Sequence, residues 1–283
     1  MIDKGQMLSR HDFSKVNWGI LAAAALLLTI GGTLLLLPLL SNMEESGVLT
    51  LLQTGAATIL LGCILLALRH FLRPAFSYRL YEHGVRVVNS HNHKERFIPF
   101  EKITDIYRFR GIPLLGGLCG GLCEAMAFRT AADQPWCTVF SNVSHAWTLR
   151  DTIINQQIQL RGTMALNALY QGEVIDFRYQ NCKARWLNLL LRGDLQRLQG
   201  QTLHLSAKTL STPQGNIAIE QIHSQVTDAE QGKIHLLNDQ GQTLVTLCYF
   251  SLLSADLFIA LLEHMIANRI PAYRNPAMTQ QAC

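Results

Sequence analysis

FIPFEKITDI, residues 97–106, and NIAIEQIHSQ, residues 216–225, carry one pattern twice in this chain. Ile98, Phe100 and Ile103 in the first stand 119 positions before Ile217, Ile219 and Ile222 in the second, within a shared form I-x-[FI]-E-[KQ]-I. Alternating apolar residues, a short polar step and a further apolar position describe a half-buried strand that ends in a tight bend. Upstream, FSYRLYEHGVRVVN (76–89) alternates around a turn at Glu82–Gly84, and TLHLSAKTLSTPQG (202–215) opens the second copy in the same way. Leu80 and Leu205 are 125 apart. The six-residue difference between the offsets falls in the longer polar loop SHNHKE (90–95), where a surface connection tolerates insertion.

The two copies also continue alike. MAFRTA (126–131) and WCTVFS (136–141) supply strands in the first, and KIHLL (233–237), the turn NDQG and QTLVTLCYF (242–250) supply a hairpin in the second. Each then closes on a helix. SHAWTLRDTIINQQIQLRGTMALNAL (144–169) is the long one, and SADLFIALLEHMIANR (254–269) places Leu257, Leu261 and Met265, with Phe258 and Leu262, at helical spacing. Ser144 and Ser254 are the expected N-caps.

Ahead of the copies lie two blocks of hydrocarbon. VNWGILAAAALLLTIGGTLLLLPLL (16–40) and GVLTLLQTGAATILLGCILLAL (47–68) contain no charged residue. Both exceed the ~18 apolar residues that cross a bilayer core of ~30 Å. Only SNMEES separates them, so the sequence predicts a tight antiparallel transmembrane hairpin with an acidic tip. The first block is too long for the apolar region of a cleaved signal peptide. Lys4, Arg10 and Lys15 flank one outer end, and Arg69, Arg73 and Arg79 the other, which by the positive-inside rule places both termini in the cytoplasm. Trp18 stands where an interfacial aromatic anchor belongs. Gly31 and Gly32 lie eight or nine residues before Leu40, and Gly55 lies eight after Gly47, which brings small residues to similar depth and permits close helix approach in lipid. With no ionisable group inside either block, an ion path through this hairpin alone is not expected.

The organisation that follows is a tail over 1–15, a membrane hairpin over 16–70, one domain over 76–172, a second over 173–270 and a tail over 271–283. The fold class is an α-helical transmembrane hairpin followed by tandem α+β, mainly β, domains. LYEHGVRVV (80–88) with ERFIPFEKITDIY (95–107) resembles the opening of bacterial PH-like domains, which often follow membrane spans. ALNALYQGEVIDF (165–177), LHLSAKTLSTPQGNIAIEQI (203–222) and KIHLL resemble a family of membrane-anchored bacterial proteins of unknown function with that fold. The resemblance covers about residues 76–270 and rests on hydrophobic patterns and turns. It implies a bent antiparallel sheet closed by a C-terminal helix in each domain, and a location in the bacterial inner membrane. It carries no catalytic residues.

Function classes narrow accordingly. A net charge of +4 without a basic run does not fit nucleic acid as partner. Seven cysteines, Cys63, Cys119, Cys123, Cys137, Cys182, Cys248 and Cys283, lack CxxC spacing and fit free thiols in a reducing compartment. Neither GxSxG nor HExxH occurs, no GxGxxG or P-loop is present, and no metal or cofactor is expected. Histidines 91 and 93, beside Lys94 and Arg96, read as a solvated loop or a phosphate grip.

Two soluble stretches are candidates for membrane contact. GIPLLGGLCGGLCEAMAF (111–128), with Leu114, Leu115 and Leu118, reads either as an apolar loop touching the bilayer or a partner, or as a buried glycine-bent connection. NCKARWLNLLLRGDLQRLQ (181–199), with Lys183, Arg185, Trp186 and Arg192, is a basic amphipathic segment of interfacial character, or an insertion whose leucines cover a sheet. The expected function is a non-enzymatic membrane protein that presents the two domains to the cytoplasm as an adaptor or sensing module for a protein or lipid partner. The alternative is an accessory or immunity-type subunit of a membrane transport or secretion system.

Overall fold

A computed structural model of the chain describes residues 4–12, 18–40, 45–71, 76–90, 92–110, 124–141, 143–179, 201–228 and 231–268. The two apolar blocks form helices α1 (Trp18–Leu40) and α2 (Glu45–Phe71), each long and apolar enough to cross a membrane. They pack against one another, while Leu26, Leu36, Leu39, Leu40 and Leu60 point outward. The hydroxyls of Thr29, Thr33, Thr54 and Thr58 donate to carbonyls three or four residues earlier. No polar side chain is thereby presented unsatisfied to an apolar surround at those positions.

The close helix approach expected from glycine holds at one of the anticipated pairs. A Cβ on Gly31 would sit 2.9 Å from the carbonyl oxygen of Gly55 and 3.0 Å from the amide nitrogen of Ile59. Gly32 and Gly47 face open space, whereas Gly62, 3.3 Å by the same measure from the Ala24 carbonyl, continues the contact. The seam therefore runs along Ala24, Gly31, Gly55 and Gly62, one stripe of each helix.

Beyond the hairpin stand two units of the same plan. The first contains a four-stranded antiparallel sheet in the order β1 (Met7–His11), β2 (Phe76–Tyr81), β3 (Gly84–Asn89), β4 (Glu95–Pro99). A three-stranded sheet follows, in the order β5 (Asp105–Arg110), β6 (Glu124–Arg129), β7 (Cys137–Phe140), and then helix α3 (Ala146–Tyr170). The second unit repeats this with β8 (Ile175–Tyr179), β9 (Gln201–Leu205), β10 (Thr209–Thr212) and β11 (Gly215–Ala218) in one sheet. Strands β12 (Ser224–Asp228), β13 (Lys233–Leu237) and β14 (Thr243–Cys248) form the other, closed by helix α4 (Ala255–Ala267).

The repeated motif marks the same bend in both. Phe100 and Ile219 each begin a single 3-10 turn between two strands, closed by Ile103 N–H on the Phe100 carbonyl and Ile222 N–H on the Ile219 carbonyl, both at 3.0 Å. Phe100, Ile103, Ile219 and Ile222 are all buried, so the turn is pinned by its apolar side chains.

Alternation builds each core. Tyr78, Leu80, Val85, Val87 and Ile98 of the first sheet meet Ile106, Met126, Phe128 and Val139 of the second, with Leu149, Ile153 and Ile154 of α3 over them. In the second unit Phe177, Leu203, Leu205 and Leu210 meet Ile234, Leu236, Val245 and Leu247, under Phe258, Leu261, Leu262 and Met265 of α4. Gly84, at the start of β3, shows why one turn admits no side chain. A Cβ there would lie 2.4 Å from the Ile98 carbonyl oxygen and 2.9 Å from Pro99 Cα.

Two expectations change. Residues 7–11, read above as part of a tail, form the outer strand of the first sheet, with Arg10 opposite Arg79 and His11 opposite Tyr78. The hairpin is thus inserted between the first and second strands of a sheet rather than placed ahead of a finished domain. Ser144 and Ser254 do not cap their helices through their side chains. The positions before α3 and α4 are His145 (φ 49°) and Ser254 (φ 53°), both left-handed, and both serines bond to other parts of the fold.

Candidate functional site

Two places concentrate contacts between elements far apart in the chain: the point where the hairpin leaves the first sheet, and the seam between the units. At the first, β1 ends on His11, which is 1% exposed. His11 Nδ1–H donates to the Ser144 carbonyl at 2.8 Å, and Nε2 accepts from the Ser9 hydroxyl at 2.7 Å. Asp12 N–H donates to Ser144 Oγ at 3.0 Å, and Ser144 N–H returns a bond to the Asp12 carbonyl at 2.7 Å. This clasp fastens the departing chain to the start of α3. Burial, opposed by the bond to Ser144, holds the His11 imidazole below its ordinary pKa of 6.5.

The same end of the sheet carries the return strand. Phe76, first residue of β2, stands opposite Asn89, last residue of β3, so the following turn with Asn92, His93 and Lys94 lies at that end as well. Tyr78 crosses from β2 to donate its hydroxyl to the Thr138 carbonyl of β7 at 2.6 Å, and burial raises its pKa well above the usual tyrosine value. Cys137, in the same core, is buried and its thiol pushed up to about 11, which makes it a packing residue rather than a reactive one.

At the seam, α3 serves both units. Its first half covers the first core, while Leu169 belongs to the second, with Ala165 and Leu166 packed beside it. Ser254 joins the units by backbone and side chain. Its N–H donates to the Ile106 carbonyl at 2.6 Å, and its Oγ accepts from Ile106 N–H and from Gln157 Nε2, each at 3.1 Å. Gln157, itself buried, also donates to the Thr104 carbonyl at 3.1 Å. Nearby, Arg108 of β5 donates to the Tyr249 hydroxyl at 2.7 Å, which in turn donates to Asp256 Oδ1 at 2.6 Å. Burial and the neighbouring Asp256 carboxylate push the Tyr249 hydroxyl far above its ordinary range, so it stays protonated as a donor. An apolar cluster of Tyr107, Phe109, Ala125 and Ala127 from the first unit with Leu253 from the second completes the joint.

Between the units lies a cleft of about 280 Å³, lined in part by Asp105, Arg161, Asp176, Arg178, Thr202 and Leu257. Asp105 is held by Arg129 at 2.6 Å and lies 4.0 Å from Arg178, and Asp176 pairs with His204 at 2.6 Å. Arg161 makes a 3.4 Å bond to the Ile103 carbonyl. The lining is polar and nearly charge-balanced, and its one buried hydroxyl, on Ser254, is engaged in the seam. Among the described residues no three His, Cys, Asp or Glu side chains converge closely enough to hold a metal ion.

The residues singled out from the sequence fall mostly elsewhere. Trp18 begins α1 and Arg69 lies in the last turns of α2. Arg73, Leu114, Leu115, Leu118, Lys183, Arg185, Trp186 and Arg192 lie outside the described residues. The strands bordering 180–200 are β8 and β9, the first and second of their sheet. That is the position occupied by the hairpin in the first unit. Sequence reading missed His11, Ser144, Gln157 and Ser254 as joining residues. MLSRH carries no apolar–polar alternation that would set His11 apart from a tail.

No protein-family model matches the chain, and no curated protein matches it either.

Proposed function

We propose that this is a non-enzymatic integral membrane protein whose two units are PH-like domains, held at the cytoplasmic face of a bacterial inner membrane as an adaptor or sensing module for a protein or lipid partner. The observation that carries this reading is the insertion of the apolar hairpin within a sheet. Two chain connections, one from β1 and one into β2, hold the first unit to the hairpin. The seam through Ser254 and α3 then joins the second unit to the first. The basic flanks Lys4, Arg10, Arg69, Arg73 and Arg79 favour the cytoplasmic side. The segment 181–199, inserted at the equivalent point of the second unit, adds Lys183, Arg185, Trp186 and Arg192 as further contacts for an anionic leaflet, each cation contributing about 1 kcal/mol.

Membrane fractionation with a reporter fused after Cys283 tests the placement: activity only on the far side of the bilayer contradicts it. Purification in mild detergent followed by mass spectrometry, beside binding of the protein to anionic vesicles, tests the role. Vesicle retention supports lipid sensing. A single stoichiometric partner with no vesicle binding replaces the sensing role by that of an accessory subunit.

A further inference from the structure

We propose that Trp147 inserts its indole into the interfacial layer of the same bilayer that the hairpin spans, making the first turn of α3 a second, peripheral membrane contact of the first unit. The inference rests on the membrane reading given above and adds to it a surface that the sequence did not single out.

Chain length sets the first constraint. From Asp12 to Trp18 there are six residue steps, and from Phe71 to Phe76 five. At ~3.5 Å per step the sheet end lies at most about 21 Å from the start of α1 and about 17 Å from the end of α2. Two independent tethers of this length hold that end of the sheet beside the helix ends.

The start of α3 is fixed to the same end. Ser144 is bonded to Asp12 through both its backbone N–H and its hydroxyl, and His11 bonds the Ser144 carbonyl. Trp147 follows Ser144 by three residues, within the first turn. It is 59% exposed, in contrast to its neighbours Ala146, Leu149 and Arg150, which are buried. Side chains on a helix tilt toward its N-terminus, so the indole leans toward the junction and away from the distal unit.

The chemistry of the group agrees with its place. Tryptophan is costly to leave in water and is favoured at the headgroup level, where its ring is apolar and its N–H wet. The Arg150 guanidinium lies 5.1 Å from the ring centroid, placing a cation next to the indole. Lys94, exposed on the turn at the same end of the sheet, adds a second positive charge facing the headgroups.

Full-length protein in nanodiscs of mixed zwitterionic and anionic phospholipid supplies the test. p-Benzoylphenylalanine replaces Trp147 in one preparation and Thr148, also exposed on that turn, in another. It replaces Leu60 on the outward face of α2 and Val226, exposed on β12 of the second unit, as references. After illumination, intact-mass spectrometry reads phospholipid adducts. Position 147 or 148 is expected to carry severalfold more lipid adduct than 226, approaching the yield at 60. Lipid adducts at 60 with none above the 226 level at either 147 or 148 overturn the inference while leaving the membrane reading standing. Crosslinks from 147 to protein in place of lipid overturn it likewise and reassign the turn to a protein interface. Absence of lipid adducts at 60 removes the membrane reading and this inference together.

Discussion

The two units share a strand order, a 3-10 bend and a left-handed residue before the closing helix, yet they differ in what is inserted between their first two strands. In the first unit that position holds residues 12–75 and two apolar helices; in the second it holds residues 180–200. An insertion between neighbouring antiparallel strands is tolerated because the register is set by the ladder and the buried alternation rather than by the connection. Leu80 paired with Val85, and Leu205 paired with Leu210, keep the same pairing after very different insertions. The comparison teaches that membrane attachment here is a property of one loop in a repeated scaffold. It also shows that the first unit depends on chain from both sides of its insertion.

That dependence is the first point at which to break the likeness. Removing residues 1–12 deletes β1 and the His11–Ser144 clasp, leaving Tyr78 and Leu80 paired with β3 alone. The amides of β2 and β3 are expected to lose about 3 kcal/mol or more of protection in hydrogen exchange, while those of β9 and β10 keep theirs. Equal loss in both units would show that the seam, not β1, governs their stability.

The turn after the second strand gives a finer contrast. Gly84 begins β3, and Thr209 begins β10 in the equivalent place. Gly84→Ala drives a methyl group into the Ile98 carbonyl and is expected to cost about 1–3 kcal/mol in chemical denaturation. Thr209→Ala, at an exposed position that already carries a Cβ, should stay within about 0.5 kcal/mol.

Ser254→Ala addresses the joint. It leaves Ile106 N–H and Gln157 Nε2 without their shared acceptor in a buried setting. A loss of about 1–2 kcal/mol is expected, with the Ile106 amide exchanging faster and the two units melting less cooperatively. Unchanged exchange at Ile106 would locate the coupling in the apolar cluster around Leu253 instead.

The smallest effect is a pH dependence of the β1 clasp in the first unit. Because the folded state holds His11 below 6.5, the unfolded chain takes up a proton first as pH falls. Stability attached to the β1 clasp is therefore full above about pH 6.5 and declines as pH drops through that value toward the lower folded pKa. Exchange of the Asp12 and Ser144 amides should quicken on going from pH 7 to pH 5 after correction for intrinsic rates, and His11→Asn should flatten the trend. The second unit has no histidine at the end of β8, where Tyr179 stands, and serves as the internal reference.

Much of this architecture was legible in the residues. The hairpin announced itself by length and absence of charge, since hydrocarbon solvation is a bulk property of composition. The repeat showed in Ile98, Phe100 and Ile103 against Ile217, Ile219 and Ile222, because a strand with one buried face must alternate and the bend must be pinned by apolar side chains. The late hairpin of KIHLL and the closing helix with Leu257, Leu261 and Met265 followed from period alone. Gly31 and Gly55 meet as their shared depth predicts, but Gly32 faces away, since which stripe of a helix faces its neighbour depends on rotation that composition does not encode.

The sequence by itself determined the apolar blocks, the doubled strand pattern and the amphipathic helices, all of which are written in local spacing. Only the tertiary structure decided that Met7–His11 joins a sheet resumed 65 residues later along the chain, at Phe76 beyond the hairpin. It alone decided that α3 is shared and that Ser144 and Ser254 are joints rather than caps. Pairing between strands and hydrogen bonds between distant elements depend on which surfaces meet once the cores have formed. A five-residue edge strand with one buried histidine leaves too short a periodic trace for that meeting to be read in advance.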